Sequence, residues 1–464
     1  MLKKTINLSI LFVSLGVLFY PISSQADVAT WISVDARSGK VLEQHKATDR
    51  WYPASLTKMM TAYVTFEAIK SGRLKLSDPV IVSAHALAQP PSKMGFKVGT
   101  VMTLDNALTM VIVKSANDIA VAVSEAVSGS EADFVAEMNR AAQRLGMGNT
   151  HFVNPNGLPA KQQVTTARDM AILARKLWLD FPQYKHYWKN SGIKFGGKTL
   201  PSGNKEFLLR VAGANGMKTG YICDSGFNVA TTVSHGGRDI ISVVLGASSV
   251  LERGAFAKKL TEVSLGRYDG PSLYSLDGKG KEPPKKGYCK RGKKPKAQEL
   301  VDRFGKSHLS DDMLAYATTA GAFPEGEKVS RKSKSGKTKV NWPAVYENIL
   351  GLRVKDYNPV PVRVGLSNGV KNKMELLARS GNALVPRPKP KQGSLLPVNS
   401  AKGGLELVRK DKRTDPFGVE EANQRKGASQ EAGSLYSTNK KQKEKGDLTP
   451  LFSGKGGLYA PTNN

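Results

Sequence analysis

The sequence predicts an α/β unit over residues 27–264, with a sheet that unites the two ends of the segment around an inserted block of helices. Three observations predict it. β-rich runs lie at both ends, helical apolar periodicity lies between them, and the composition changes after Ser264.

The elements follow in order. Thr30-Trp31-Ile32-Ser33-Val34 and Lys40-Val41-Leu42 flank Asp35-Ala36-Arg37-Ser38-Gly39, a strand, a turn and a strand. A helix opens at Ser55, with Met59, Met60, Tyr63, Val64 and Phe66 on its apolar face and Gly72 as its stop. Leu104 to Val113 and Ile119 to Val127 read as two apolar helices around Lys114-Ser115-Ala116-Asn117. Ser130-Glu131-Ala132-Asp133 is a capping signal for a helix that ends at Gly146. Thr166 to Leu179 carries Met170, Leu173, Ala174 and Leu177 on one stripe. Gly216-Met217-Lys218-Thr219-Gly220 then opens a strand region. Asn228–Ser234 and Asp239–Leu245 are strands joined by the hairpin signal His235-Gly236-Gly237-Arg238, and a helix from Leu251 to Ser264 closes the unit.

Beyond Ser264 the pattern weakens. Residues 265–384 form a basic region in which 297–320 and 340–366 hold enough apolar residues for a helix, a few short strands or a reduced second domain. Residues 385–464 are rich in Pro, Gly, Ser, Lys and Gln and read as a disordered basic tail.

The chain has 464 residues and a net charge of +30. Residues 1–264 hold 30 basic and 19 acidic side chains, net +11, and 265–464 hold 39 and 20, net +19. The shorter part therefore carries most of the excess. No helix-turn-helix, zinc-finger or RNA-recognition signature is present, so nucleic acid is not the expected partner. An anionic membrane or wall polymer, met through the tail, fits the charge better; the plainer reading is a solubilising tail.

Lys3 and Lys4, an apolar run from Ile6 to Ile22 and the small residues of Ser24-Gln25-Ala26 form a secretory signal peptide over 1–26. A retained anchor is the alternative. Either way the expectation is export, to the periplasm or cell envelope, with peripheral membrane attachment left open. Cys223 and Cys289 then meet an oxidising compartment and either pair or stay as two thiols. The six histidines show no metal spacing, so neither metal nor other cofactor is expected. Trp31, Trp51, Trp178 and Trp188 read as packing residues.

Three motifs stand in order: Ser55-Leu56-Thr57-Lys58, Ser115-Ala116-Asn117 and Lys218-Thr219-Gly220. The first pattern recurs at Ser191, Ser202 and Ser437, so context decides. Only Ser55 opens a long apolar helix. Residues three apart share a helix face, which puts the Lys58 amine beside the Ser55 hydroxyl. A serine needs a base to become a nucleophile, and a lysine is a base only when burial or a second cation keeps it neutral. Lys218 supplies such a cation. Ser55, at the positive end of its helix, also offers a backbone N–H to an oxyanion.

With its flanks, the set resembles the low-molecular-mass penicillin-binding proteins, serine-type D-alanyl-D-alanine carboxypeptidases. The matching stretches are Pro53-Ala54-Ser55-Leu56-Thr57-Lys58-Met59-Met60-Thr61, Phe152-Val153-Asn154-Pro155-Asn156-Gly157-Leu158, Thr165-Thr166-Ala167-Arg168-Asp169-Met170-Ala171 and Gly216-Met217-Lys218-Thr219-Gly220 with Ser225-Gly226-Phe227-Asn228. The resemblance covers residues 30–264. It implies a β-lactamase/transpeptidase-like antiparallel sheet flanked by helices. It implies Ser55 as the acylated nucleophile, Lys58 as its base and Ser115 as a proton relay. Asn117 would hold the substrate backbone, and Lys218, Thr219 and Arg253 its terminal carboxylate. Gly220 would let the substrate approach, and the N–H groups of Ser55 and Tyr221 would form the oxyanion hole. The implied substrate is a peptidoglycan stem peptide ending in D-Ala-D-Ala, with β-lactams as covalent inhibitors. A D,D-endopeptidase on crosslinks, a β-lactamase and an inactive wall-binding protein are the alternatives. Two departures stand out. Tyr221 replaces a frequent histidine, and Ala160-Lys161-Gln162-Gln163-Val164 replaces a segment that often carries one. For Arg253 the plainer alternative is a solvated side chain or a partner of Glu252, and Asp169 reads as a first-turn carboxylate favoured by the helix dipole.

Overall fold

A computed structural model describes residues 28–284, 288, 295–305, 330–332 and 338–366. The expected signal peptide and disordered tail lie outside these residues, as does Cys289. Cys223 is disulfide-bonded.

The sheet is built from the strands β1 (Thr30–Asp35), β2 (Val41–His45), β5 (Ala214–Ile222), β6 (Gly226–His235) and β7 (Arg238–Ala247), with a hairpin β3 (Gly192–Phe195) and β4 (Lys198–Pro201) outside it. Its order is β2-β1-β7-β6-β5, and every pairing is antiparallel. The first and last strands of the unit thus lie side by side, Ile32 opposite Val243. The turn between β6 and β7 has Gly236 at φ 55° and Gly237 at φ 75°, the left-handed pair that lets a tight hairpin follow the strand twist.

Between the sheet's halves runs the helical block: α1 (Thr57–Lys70), α2 (Asn117–Ser128), α3 (Glu131–Leu145) and α4 (Ala167–Asp180). The expected single face of α1 is instead burial nearly all round, from Thr57 to Ala68. A helix that is buried on every side belongs at the centre of a core, and α1 is that pillar. Ser130 Oγ accepts from Asp133 N at 3.0 Å and Gly146, at φ 76°, closes α3, as its capping signal requires. The predicted helix 104–113 divides. A short α-helix, Leu104–Thr109, passes into a π-turn, Met110–Lys114.

Alternate strand residues serve two cores. Ile32, Val34, Ile241, Val243 and Leu245 pack with the helical block, while Val229, Val233 and Val244 pack with Ala257 and Leu260 of the closing helix α6 (Val250–Leu265). A short helix α5 (Lys205–Arg210) precedes β5.

The 340–366 stretch does not form a separate second domain. Helices α7 (Ala297–Phe304) and α8 (Trp342–Leu350) lay Leu300, Val345, Ile349 and Leu350 against Leu251 and Ala255 of α6. The chain then runs as a strap. Arg210 Nη1 donates to Gly351 O at 2.8 Å, Val354 N donates to Leu209 O at 2.8 Å, and Lys355 Nζ donates to Ala214 O at 2.7 Å. The short strand β8 (Val360–Pro361) pairs with β3, and Arg363 N donates to Asn106 Oδ1 at 2.8 Å.

Candidate active site

Ser55 stands in a 3-10 turn, Ala54–Leu56, that leads into α1. Ala54 has φ 47°, a left-handed conformation that a residue with a Cβ seldom adopts. The turn is held from two sides. A Cβ on Gly157 would lie 1.9 Å from Ala54 O, and one on Gly220 would lie 3.0 Å from Ser55 N. At Gly157 only glycine admits the approach, and at Gly220 a side chain would press tightly on the turn. Asn228 completes the frame: its Nδ2 donates to Tyr52 O at 2.9 Å and its Oδ1 accepts from Gly246 N at 3.0 Å.

Lys58 is wholly buried, one turn along from Ser55. Its Nζ lies 3.1 Å from Ser55 Oγ, 2.7 Å from Asn117 Oδ1 and 2.5 Å from Asn156 O. Burial pushes its pKa well below the usual lysine range; the Lys218 cation adds to this and the Asp118 carboxylate opposes it. A neutral amine has two N–H groups and one lone pair. Asn117 Oδ1 and Asn156 O can only accept, so they take the two hydrogens. The lone pair is left facing the hydroxyl of Ser55.

Ser115 closes the π-turn at φ 63° and ψ 35°. That strained left-handed position aims Oγ across the cleft, where Lys218 Nζ donates to it at 2.9 Å. Lys218 also donates to Thr219 O at 2.9 Å. Burial, and then the nearby Arg253 guanidinium, bring Lys218 down to about 7. Arg253 is buried and not solvated: its Nη2 donates to Gly203 O at 2.8 Å. Glu252 accepts from Ser248 N at 2.7 Å. Tyr221 is 47% exposed, its ring 4.3 Å from that of Phe227.

The structure therefore gathers Ser55, Lys58, Ser115, Asn117, Lys218, Thr219 and Gly220 in one cleft, with Arg253 behind Lys218. Three contributors had no individual role in the sequence reading. Asn156 supplies a main-chain acceptor. Asp118, fully buried, accepts from Met94 N at 3.0 Å and Gly95 N at 2.8 Å and so pins the loop before the Ser115 turn. Asn228 frames Ser55. All three stand next to or inside recognised blocks, which was the available signal. Asp169 is more than a dipole partner. It is fully buried, pairs with Arg168 Nη1 at 2.9 Å and accepts from Asn149 N at 3.0 Å.

The family described as D-alanyl-D-alanine carboxypeptidase matches residues 20–249. The D-alanyl-D-alanine carboxypeptidase DacA of Haemophilus influenzae is 32% identical over 286 residues, 58% of this chain and 72% of that protein. The chain belongs to this family. The D-alanyl-D-alanine carboxypeptidase DacC of Escherichia coli is 37% identical over 229 residues, which span 48% of this chain and 57% of that relative. Among solved structures, penicillin binding protein 6B from Escherichia coli is similar with a TM-score of 0.50 and 30% identity, over 55% of this chain and 82% of that one. The carboxypeptidase fold thus occupies the first part of the chain, as the antiparallel sheet with flanking helices requires.

Proposed function

We propose that the protein is a serine-type D-Ala-D-Ala carboxypeptidase that removes the terminal D-Ala from peptidoglycan stem peptides. One observation carries this reading: the buried Lys58 Nζ lies 3.1 Å from Ser55 Oγ, with two acceptors, Asn117 Oδ1 and Asn156 O, placed to take its hydrogens. Lys58 takes the Ser55 proton as Oγ attacks the penultimate D-Ala carbonyl. The backbone N–H groups of Ser55 and Tyr221 receive the oxyanion. Asn117 holds the substrate backbone. Lys218, Thr219 and Arg253 receive the terminal carboxylate. Ser115, joined to Lys218, relays a proton to the leaving amine, and D-Ala departs. Water then attacks the acyl-enzyme and Ser55 regains its proton. Penicillins acylate the same serine.

The reading includes export by residues 1–26 to the cell envelope, where the excess positive charge of residues 265–464 favours anionic polymer or lipid; release from envelope fractions by rising salt tests that part. The main test is mass spectrometry of a penicillin adduct together with D-Ala release from a pentapeptide. Wild type carries the adduct on Ser55 and releases D-Ala, and Ser55→Ala does neither. An adduct on another residue, or no D-Ala from the wild type, overturns the proposal.

A further inference from the structure

Lys58 gives one of its hydrogens to a main-chain carbonyl, Asn156 O, at 2.5 Å. A carbonyl cannot turn by itself. It moves with the peptide plane that it shares with the N–H of Gly157. A group that holds this N–H therefore also sets where Lys58 finds its acceptor.

A side chain holds it. Gly157 N donates to Asn154 Oδ1 at 2.8 Å. The O and N–H of a planar trans peptide point opposite ways, so Asn154 and Lys58 grip one rigid unit from its two sides. The unit ends at Gly157, where a Cβ would lie 1.9 Å from Ala54 O, so it also abuts the Ser55 turn.

Behind Asn154 stands the buried Gln163. Its Nε2 donates to Asn154 Oδ1 at 2.9 Å and to Leu158 O at 3.1 Å. Its Oε1 accepts from Val153 N at 2.8 Å and from Asn154 N at 3.0 Å. A glutamine amide has two hydrogens to give and two lone pairs, and all four are used. Asn154 Nδ2 in turn donates to Leu158 O at 3.1 Å. A tight turn brings Gln163 there: its N donates to Ala160 O at 3.2 Å, and Gln162 takes the left-handed φ of 68°.

We propose that Asn154, backed by Gln163, is a positioning residue for the general base. By fixing the 156–157 peptide it keeps Asn156 O on Lys58, and so keeps the amine aimed at Ser55 Oγ. The inference rests on the carboxypeptidase reading. Without the Asn154 oxygen the peptide plane can rotate, Lys58 loses an acceptor and its approach to Ser55 loosens. A misplacement of about 1 Å at reacting groups costs up to about 10²-fold in rate.

The test measures D-Ala release from a pentapeptide, penicillin acylation and a melting curve for each variant. Asn154→Leu keeps the size and removes the acceptor. Its kcat should fall about 10–100-fold with KM within about twofold, the mark of an interaction that serves the transition state. Asn154→Asp keeps an oxygen for Gly157 N and should hold kcat within about threefold. Gln163→Met should lower kcat by about three- to tenfold. Asn139→Leu is the control, because Asn139 ties the start of the same loop: Oδ1 accepts from Phe152 N at 2.9 Å and Nδ2 donates to Phe152 O at 2.8 Å. It should lose stability as Asn154→Leu does while kcat stays within about twofold. Penicillin acylation should follow kcat throughout. Equal falls in kcat for the two leucine variants, Asn154→Asp as slow as Asn154→Leu, or Asn154→Leu as fast as wild type overturns the positioning role alone. Should Asn154→Leu not fold, Gln163→Met decides, and an undiminished kcat there overturns the role. A wild type that neither releases D-Ala nor takes penicillin overturns the carboxypeptidase reading and this inference with it.

Discussion

The catalytic cleft and the strap segment 338–366 bury lysine to different degrees. In the cleft Lys58 and Lys218 are buried, and each has lost much of its hold on a proton. In the strap, apolar residues such as Val345 and Ile349 do the burying, and Lys355 reaches the Ala214 carbonyl while only partly covered. Burying an ammonium is costly; that cost drives Lys58 toward the neutral amine a base needs and leaves Lys218 charged only on the acid side of about 7. The strap needs only to hold. Helix α6 joins the two regions: Arg253 faces the cleft while Leu251 and Ala255 lie under the strap.

The comparison can be broken by substitutions on each side. Lys58→Met should lower penicillin acylation by about 10²–10⁴-fold, the usual worth of a general base, with little loss of thermal stability because a buried amine becomes a buried thioether. Stopped-flow acylation beside a melting curve checks both halves. If acylation survives, Lys58 is not the base.

Next in size is Gly157→Ala. Its Cβ meets Ala54 O at 1.9 Å in a backbone at φ +83°, so the Ser55 turn must move. A stability loss of about 1–3 kcal/mol, together with slower acylation, is expected. A variant as stable and active as wild type would show that the turn tolerates displacement.

Leu350→Ala tests the strap. Removing a buried leucine typically costs about 2–5 kcal/mol, and this peripheral cluster should give the lower end. Denaturant unfolding should show that loss while penicillin acylation stays within about twofold. A parallel fall in acylation would mean that the strap governs Arg253 through α6.

The smallest effect sharpens the cleft itself. Lys218 titrates near about 7. It is charged below that value and loses its charge as pH rises through it, so the affinity for an anionic substrate terminus declines on the alkaline side. Arg253 keeps its charge and limits the decline to a few-fold. On the acid side Lys58 takes up a proton and acylation falls. A pH profile of kcat/KM shows both limbs, and Lys218→Arg should erase the alkaline one.

The pairing of Ser55 with Lys58 was legible because it is local: three residues along a helix put both side chains on one face. The sheet was legible from the hairpin at His235–Arg238 and the strand patterns at both ends. Asn156 was not, because it acts through its carbonyl, and every residue has one. The division of helix 104–113 was hidden too. Its apolar residues suit an α-helix, and only the need to aim Ser115 across the cleft makes a π-turn intelligible.

What the sequence determined alone was therefore the family, the order of elements and the types of catalytic group, since these rest on short-range spacing and periodicity. Tertiary structure decided the rest. It set Lys218 beside Ser115, turned Arg253 inward to Gly203, folded the 340–366 segment onto α6 and laid the Asn156 carbonyl against Lys58. Each of these depends on contacts between residues far apart in the chain, and their energies come from burial and charge that no local pattern records.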